Sequence, residues 1–179
     1  MEKLSMEALG RLSANEFAGT KKLPLVLVLD NVRSGLNVGS VFRTADAFAV
    51  ERIILCGITA TPPHREILKT ALGSTDTVAW SATDDPATAV RELKNAGYRV
   101  FAVEQTDQKT WLQDFFPAPN EKYAFVFGNE VDGVSDTVLP LCDGAVEIPQ
   151  FGTKHSLNIA VAAGIVVWEV VKKVIGLKV

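Results

Sequence analysis

Cysteine and histidine are scarce: Cys56, Cys142, His64 and His155 are the whole supply of both. Groups this few and this scattered build neither a disulfide framework nor a zinc site. A basic excess is missing too, since 18 lysines and arginines stand against 21 aspartates and glutamates, a net charge of −3 at pH 7. A general polyanion-binding surface is thereby excluded, and nucleic acid would have to meet a local basic patch. Long hydrophobic runs are also absent. The most apolar stretch, Ile159 to Trp168, is closed by Glu169, Lys172 and Lys173, well short of the ~20 residues of a membrane span, and reads as a buried helix. The N-terminal stretch is broken by polar and charged positions every few residues and lacks the apolar core of a signal peptide. The expectation is a cytoplasmic protein with two buried thiols, no metal and no membrane partner.

What the chain does have is apolar content, 47% of 179 residues, enough for one domain that buries roughly 68 to 75% of its extended-chain surface. Residues 1–22 carry Lys3, Arg11, Lys21 and Lys22 against Glu2, Glu7 and Glu16, with Leu4, Ala8 and Leu12 at helical spacing, and read as a short helical arm. Residues 23–179 read as one domain. Pro24 opens Leu25-Val26-Leu27-Val28-Leu29, a run suited to a strand covered on both faces. Helices are expected at Val38–Phe48, Glu66–Leu72, Pro86–Ala96, briefly after Ser135, and from Ser156 onward. Strands are expected at Arg52–Cys56, Thr77–Trp80, Arg99–Val103, Tyr123–Phe127 and Ala145–Ile148, with a looser, proline-marked stretch ending at Asn120. Strands separated by helices make an α/β domain with a parallel sheet.

Ligands of such sheets bind beyond the carboxyl ends of the strands. The loops to inspect therefore follow Leu29, Phe127 and Ile148; they run Asp30–Ser40, Gly128–Ser135 and Pro149–Asn158, and all are polar or glycine-bearing. Gly35 and Gly39 do not make G-x-G-x-x-G, and nothing matches G-x-x-x-x-G-K-[ST], so nicotinamide and triphosphate sites lack their loops. On a wheel from Val38, at 100° per residue, Val41, Phe42, Ala45, Phe48 and Ala49 share the arc that packs on the sheet, and Arg43 lies opposite. An arginine there is ordinarily solvated, yet its neighbours Gly39, Ser40 and Ala47 are small enough to let another surface approach. Glu130 reads either as a surface carboxylate or as a site residue, with Gly128 and Gly133 as turn formers in the first case. Ser156 reads as a helix N-cap with Asn158 in the first turn. His155, beside Lys154 and without a nearby carboxylate, reads as structural. No Cys/His or Ser/His/Asp constellation can be assembled.

Asn37-Val38-Gly39-Ser40-Val41-Phe42-Arg43-Thr44-Ala45-Asp46-Ala47, then Phe127 through Ser135, then Ile148-Pro149 through Ser156-Leu157-Asn158-Ile159-Ala160-Val161-Ala162 together resemble the three signature motifs of the SpoU (TrmH) family of SPOUT-class RNA ribose 2'-O-methyltransferases. The likeness covers residues 24 to 174, with the motifs in the family's order. It implies a parallel-sheet α/β SPOUT methyltransferase fold whose C-terminal segment threads a trefoil knot, a rare exception to un-knotted topology. It also implies a homodimer, with S-adenosyl-L-methionine held by backbone groups of these loops. The cofactor contacts then fall at Gly128, Ile148, Leu157 and Val103, and the catalytic set at Arg43, Glu130, Ser156, Asn158 and Asn37.

The implied reaction is attack of a ribose 2'-oxygen on the sulfonium methyl. A guanidinium with a pKa above ~12 is a poor base, so Arg43 is assigned to the neighbouring phosphate and the developing alkoxide, and proton removal to phosphate oxygen or water. Gly128 would let a ligand approach backbone, while Ile148 and Leu157 would wall an adenine. The expected partner is structured RNA, tRNA before rRNA. Phosphate contacts would come from Arg33, Arg43, Arg65, Lys69 and Lys154, with Lys21 and Lys22 in the arm; the chain ends on a brief basic run of Lys172, Lys173 and Lys178. The last helix, apolar nearly all round from Ile159 to Val167, calls for cover in a subunit interface. The alternative is a non-catalytic RNA-binding or interaction module on the same fold.

Overall fold

Leu25 to Leu29 is apolar at every position because alternate side chains enter two different cores. The computed structural model describes residues 1, 3–5 and 8–176. Its elements run α1 (Ala14–Gly19), β1 (Leu23–Asp30), α2 (Gly35–Ala47), β2 (Val50–Cys56), α3 (Arg65–Ala71), β3 (Ala79–Thr83), α4 (Pro86–Asn95), β4 (Tyr98–Val103), β5 (Lys109–Trp111), β6 (Lys122–Phe127), β7 (Gly144–Glu147) and α5 (Ile159–Val174). The strands form one sheet in the order β3-β2-β1-β6-β4-β7-β5, and every pairing is parallel. Leu25, Leu27 and Leu29 meet Val41, Phe42, Ile67, Val166 and Val167 on the face covered by α2, α3 and α5. Val26 and Val28 meet Val90, Leu93 and Val138 on the face covered by α4. Each such side chain contributes ~1.5–3 kcal/mol on burial, so a strand covered on both sides keeps no polar position.

β6 is inserted between β1 and β4. The chain builds outward from β1 through β2 to β3, then crosses to the other side, and β6 later fills the gap. The carboxyl ends of β1, β6, β4 and β7 thus lie in a row, at Asp30, Phe127, Val103 and Glu147. This is the switch point at which an open parallel sheet forms a crevice.

Several expectations are corrected. Leu4 and Leu12 are exposed, and the arm's helix is confined to Ala14–Gly19, started by a Ser13–Glu16 capping box and burying nothing; a helix without an apolar face to dock extends no further than its cap supports. Glu2, Glu7 and Lys178 lie outside the described residues. β3 begins at Ala79 rather than Thr77, because the Thr77 hydroxyl donates to the Asp46 carboxylate, 2.5 Å, and residues 74–78 are held in turns. After Ser135 only a 3-10 turn forms, at Leu139–Leu141 around Pro140. The proline-marked stretch holds the three-residue edge strand β5, too short and too exposed to show a pattern. Cys56 is buried but Cys142 only partly so; burial pushes their thiols up to about 12 and about 11, which keeps both protonated and unreactive.

Candidate active site

Past Phe127 the chain folds back on itself. Asn129 and Gly133 exchange backbone hydrogen bonds at 3.1 and 3.2 Å, and the Asn129 side-chain oxygen accepts from the N–H of Val131 and Asp132, 2.8 Å each. Gly133 sits at φ +71°, and a Cβ on Gly128 would collide with the Gly133 backbone. The missing side chain of Gly128 thus makes room for the loop's own return.

Two carboxylates hold this loop from the strands on either side of β6. Asp30, fully buried at the end of β1, accepts from the Ser135 N–H at 2.8 Å and the Ser135 hydroxyl at 2.9 Å. Glu104, directly after β4, accepts from the Val134 N–H at 3.0 Å. Consecutive N–H groups are thus caught by carboxylates at the ends of the two strands that flank β6. Glu104 and Asp30 were not candidates from the sequence. The sequence signal for Glu104 is positional: it follows a strand end in the same row as the three motif loops.

The loops enclose a cavity of about 540 Å³. Among its lining residues are Val103, Gly128, Glu130, Ile148, Ser156, Leu157 and Asn158, seven of the nine sequence-derived candidates, together with Glu104, Gln105, Phe127 and Gln150. Asn37 joins them through hydrogen bonds. Its amide nitrogen donates to Glu130 at 2.9 Å, and its amide oxygen accepts from Asn158 Nδ2 at 3.1 Å. One polar chain therefore ties the three loops together. Asn158 completes it by capping α5, its oxygen accepting from the Ala160 and Val161 N–H groups at 2.9 and 3.4 Å. The N-cap is thus Asn158 and not Ser156, which lines the cavity two residues before the cap. Burial raises the Glu130 carboxyl, but hydrogen bonds from the Asn37 side chain and from backbone N–H groups, including Arg33, outweigh it and hold the group below the ordinary carboxylate range. Glu130 is therefore an ionised acceptor, a poor general base.

Arg43 is the candidate that the structure does not bring to this cavity. It lies on the exposed side of α2, where it shares a separate hollow with Ser40, Thr44, Ala47, Phe48, Lys69 and Thr70. Gly39, read from sequence as room for an incoming surface, is instead buried against α3, where a Cβ would collide with Thr70 and the Ile67 carbonyl. Arg33, Arg65, Lys69 and Lys154 are exposed. On α5, Val161, Ile165 and Trp168 form an exposed apolar stripe at helical spacing. Among the described residues no group of three His, Cys, Asp or Glu side chains gathers to hold a metal, and no helix is long and apolar enough to cross a membrane.

The sequence profile of the SpoU rRNA Methylase family matches residues 24–168. The chain belongs to the SpoU rRNA methylase family. This SpoU match takes in every candidate from Asn37 to Asn158 and leaves out the arm and the last turns of α5. The chain is similar to the 23S rRNA (guanosine-2'-O-)-methyltransferase RlmB of Neisseria meningitidis serogroup B, 33% identical over 146 residues, which are 82% of this chain and 57% of that protein. Its fold is similar to that of the A. aeolicus TrmH/SpoU tRNA modifying enzyme, with a TM-score of 0.79, 25% identity, and coverage of 89% of this chain and 80% of the other. It is also similar to the SpoU methyltransferase AviRb from Streptomyces viridochromogenes in complex with the cofactor AdoMet, with a TM-score of 0.75, 25% identity, and coverage of 88% and 60%. The chain spans 57 to 61% of the length of the curated relatives it matches.

Proposed function

We propose that this SpoU chain transfers a methyl group from S-adenosyl-L-methionine to a ribose 2'-hydroxyl of structured RNA, with tRNA favoured over rRNA. The observation that carries the reading is the convergence of the three motif loops on one cavity, tied by the Glu130–Asn37–Asn158 hydrogen bonds. The names of the RlmB relative and of the AdoMet complex support the reaction and the donor. The tRNA preference leans on the A. aeolicus tRNA modifying enzyme, matched over 80% of its length against 57% for the Neisseria rRNA enzyme.

The cavity fits this donor. Its volume falls within the usual range for small-ligand sites, ~300–1,000 Å³; Val103, Phe127, Ile148 and Leu157 supply apolar wall, and its charged lining is acidic, which suits a cation. S-adenosyl-L-methionine supplies an electrophilic methyl group when bound. The chain's own part is alignment. Asn37, Glu130 and Asn158 fix the three loops against one another, the backbone at Gly128 and the side chains of Ile148 and Leu157 shape the seat, and Ser156 lines it. Ordering these groups in advance lowers the entropic cost of bringing hydroxyl and methyl together. Arg43 binds the phosphate beside the target ribose and stabilises charge developing on its 2'-oxygen, while phosphate oxygen or water takes the proton.

Arg43 and the cavity lie apart within one chain, so this reading needs two copies. In the homodimer we place the α5 stripe of Val161, Ile165 and Trp168 under cover, and Arg43 of the partner subunit beside the cavity. The C-terminal trefoil knot, a cytoplasmic location, and the division into a 1–22 arm and a 23–179 domain belong to the same proposal. The test is transfer of labelled methyl groups into fractionated tRNA and rRNA, followed by mapping of 2'-O-methyl nucleotides. Label on a tRNA ribose is expected. Label on bases would overturn the ribose assignment, and donor binding without transfer to any RNA would reduce the chain to a binding module.

A further inference from the structure

Glu104 has a second role available beyond holding the loop. Its oxygens accept from the N–H groups of Val134, at 3.0 Å, and Gln105, at 2.8 Å, both neutral donors. Among the described residues no lysine or arginine forms a salt bridge with it. The other acids lining the cavity differ. Glu147 lies 3.2 Å from Lys109 Nζ, an ion pair without hydrogen-bond alignment. Glu130 is engaged by Asn37 and the Arg33 N–H, and Asp132 is exposed at the tip of the Asn129–Gly133 turn. Among the described residues the cavity lining contains no lysine or arginine. Glu104 is thus a half-buried carboxylate held only by neutral N–H donors, in a wall where the effective dielectric is below that of water.

We propose that Glu104 sets the cavity's preference for the charged donor over the spent product. The inference rests on the reading of the cavity as the S-adenosyl-L-methionine site. When the methyl group moves to the ribose oxygen, the sulfur changes from a sulfonium to a neutral thioether, and the ribose proton leaves to phosphate oxygen or water. One positive charge is lost from the bound molecule at that atom. A fixed negative charge in the wall therefore favours the molecule before transfer and not after it. Gln105 reinforces the placement, since its side-chain amide donates to the His155 carbonyl at 2.6 Å and joins the segment after β4 to the third loop.

Calorimetry on the full chain with S-adenosylmethionine, S-adenosylhomocysteine and sinefungin, which carries an ammonium near the sulfonium position, tests this. Glu104→Gln removes the charge and keeps one acceptor oxygen for the Val134 N–H, giving up the second one that serves the Gln105 N–H, so the decisive reading is the ratio of charged to neutral ligand affinities. The substitution should weaken S-adenosylmethionine and sinefungin by about tenfold while S-adenosylhomocysteine changes less than about threefold, and rising salt should narrow the wild-type difference. Equal losses for all three ligands would make Glu104 a purely structural residue and overturn the inference, as would no loss for any. If Glu104→Gln unfolds, Glu104→Asp carries the test: a retained preference for the charged ligands supports the inference, and a lost one sinks it. Failure of the wild-type protein to bind any of the three would instead strike the proposed function.

Discussion

Asp30 and Ser135, 105 residues apart in sequence, are joined by two hydrogen bonds, from the serine N–H at 2.8 Å and its hydroxyl at 2.9 Å to the two oxygens of one fully buried carboxylate. Removing the acceptor leaves a part-buried N–H and hydroxyl without a partner. Unsatisfied buried groups cost ~1–3 kcal/mol each, so Asp30→Ala should lower unfolding free energy by about that amount and loosen the Gly128–Ser135 loop. Urea denaturation reads the first effect and donor affinity the second. An unchanged midpoint with unchanged affinity would show that the loop is held by Glu104 and the Asn129–Gly133 turn alone.

Arg43 tests the division of labour. Because it lies outside the cavity, Arg43→Ala should abolish methyl transfer while donor affinity stays within about twofold, a change under ~0.5 kcal/mol. In the two-copy reading, a mixture of Arg43→Ala chains with chains inactivated at Leu157 should regain part of the activity that each lacks alone. Retained turnover in Arg43→Ala removes the residue from the mechanism. A mixture as inactive as its components argues for a site complete within one chain.

How legible this was in the sequence depends on the range of the interactions concerned. The Leu25–Leu29 run declares a doubly covered strand locally, and the order of helices and strands declares the parallel sheet. Asn158 is harder. Serine and asparagine cap helices about equally well, so residues 156 to 158 offer two starts for α5. The choice falls with Asn158, whose amide also reaches Asn37, 121 residues away. Glu104 is harder still, because its target N–H is adjacent only once β6 is inserted beside β4. Helical periodicity puts Arg43 on the outer face of α2, but only the assembled chain shows that this face and the cavity are separate.

Glu130 gives the fold a pH signature. Its carboxyl is held below the ordinary range, so it contributes stability that is fully present above the unfolded value of ~4.3 and is lost as pH falls through the lower folded value. The wild-type protein should therefore lose stability faster than Glu130→Gln as pH drops from about 5 toward 3, and the two should run parallel above about pH 6. Thermal melts across that range measure the difference. Parallel curves throughout would mean that the Asn37 and Arg33 hydrogen bonds add no net preference for the ionised form.

The exposed stripe on α5 carries the last prediction. Val161, Ile165 and Trp168 are 51%, 37% and 40% exposed, while the opposite side of the same helix, at Ala163, Val166, Val167 and Val170, is packed into the core. A charge at Ile165 therefore leaves the core face untouched and penalises only a surface that must dry on association. Ile165→Glu should sediment as a monomer at micromolar concentration where the wild-type protein sediments as a dimer, with little change in its melting temperature when both are compared as dilute chains. Because the cavity belongs to one chain and Arg43 is supplied by the other in this reading, the monomer should still bind donor and should fail to transfer methyl groups. A monomeric variant with full transfer would leave association intact as a property of the chain but sever it from catalysis, and Arg43 would then have to reach the donor within its own subunit.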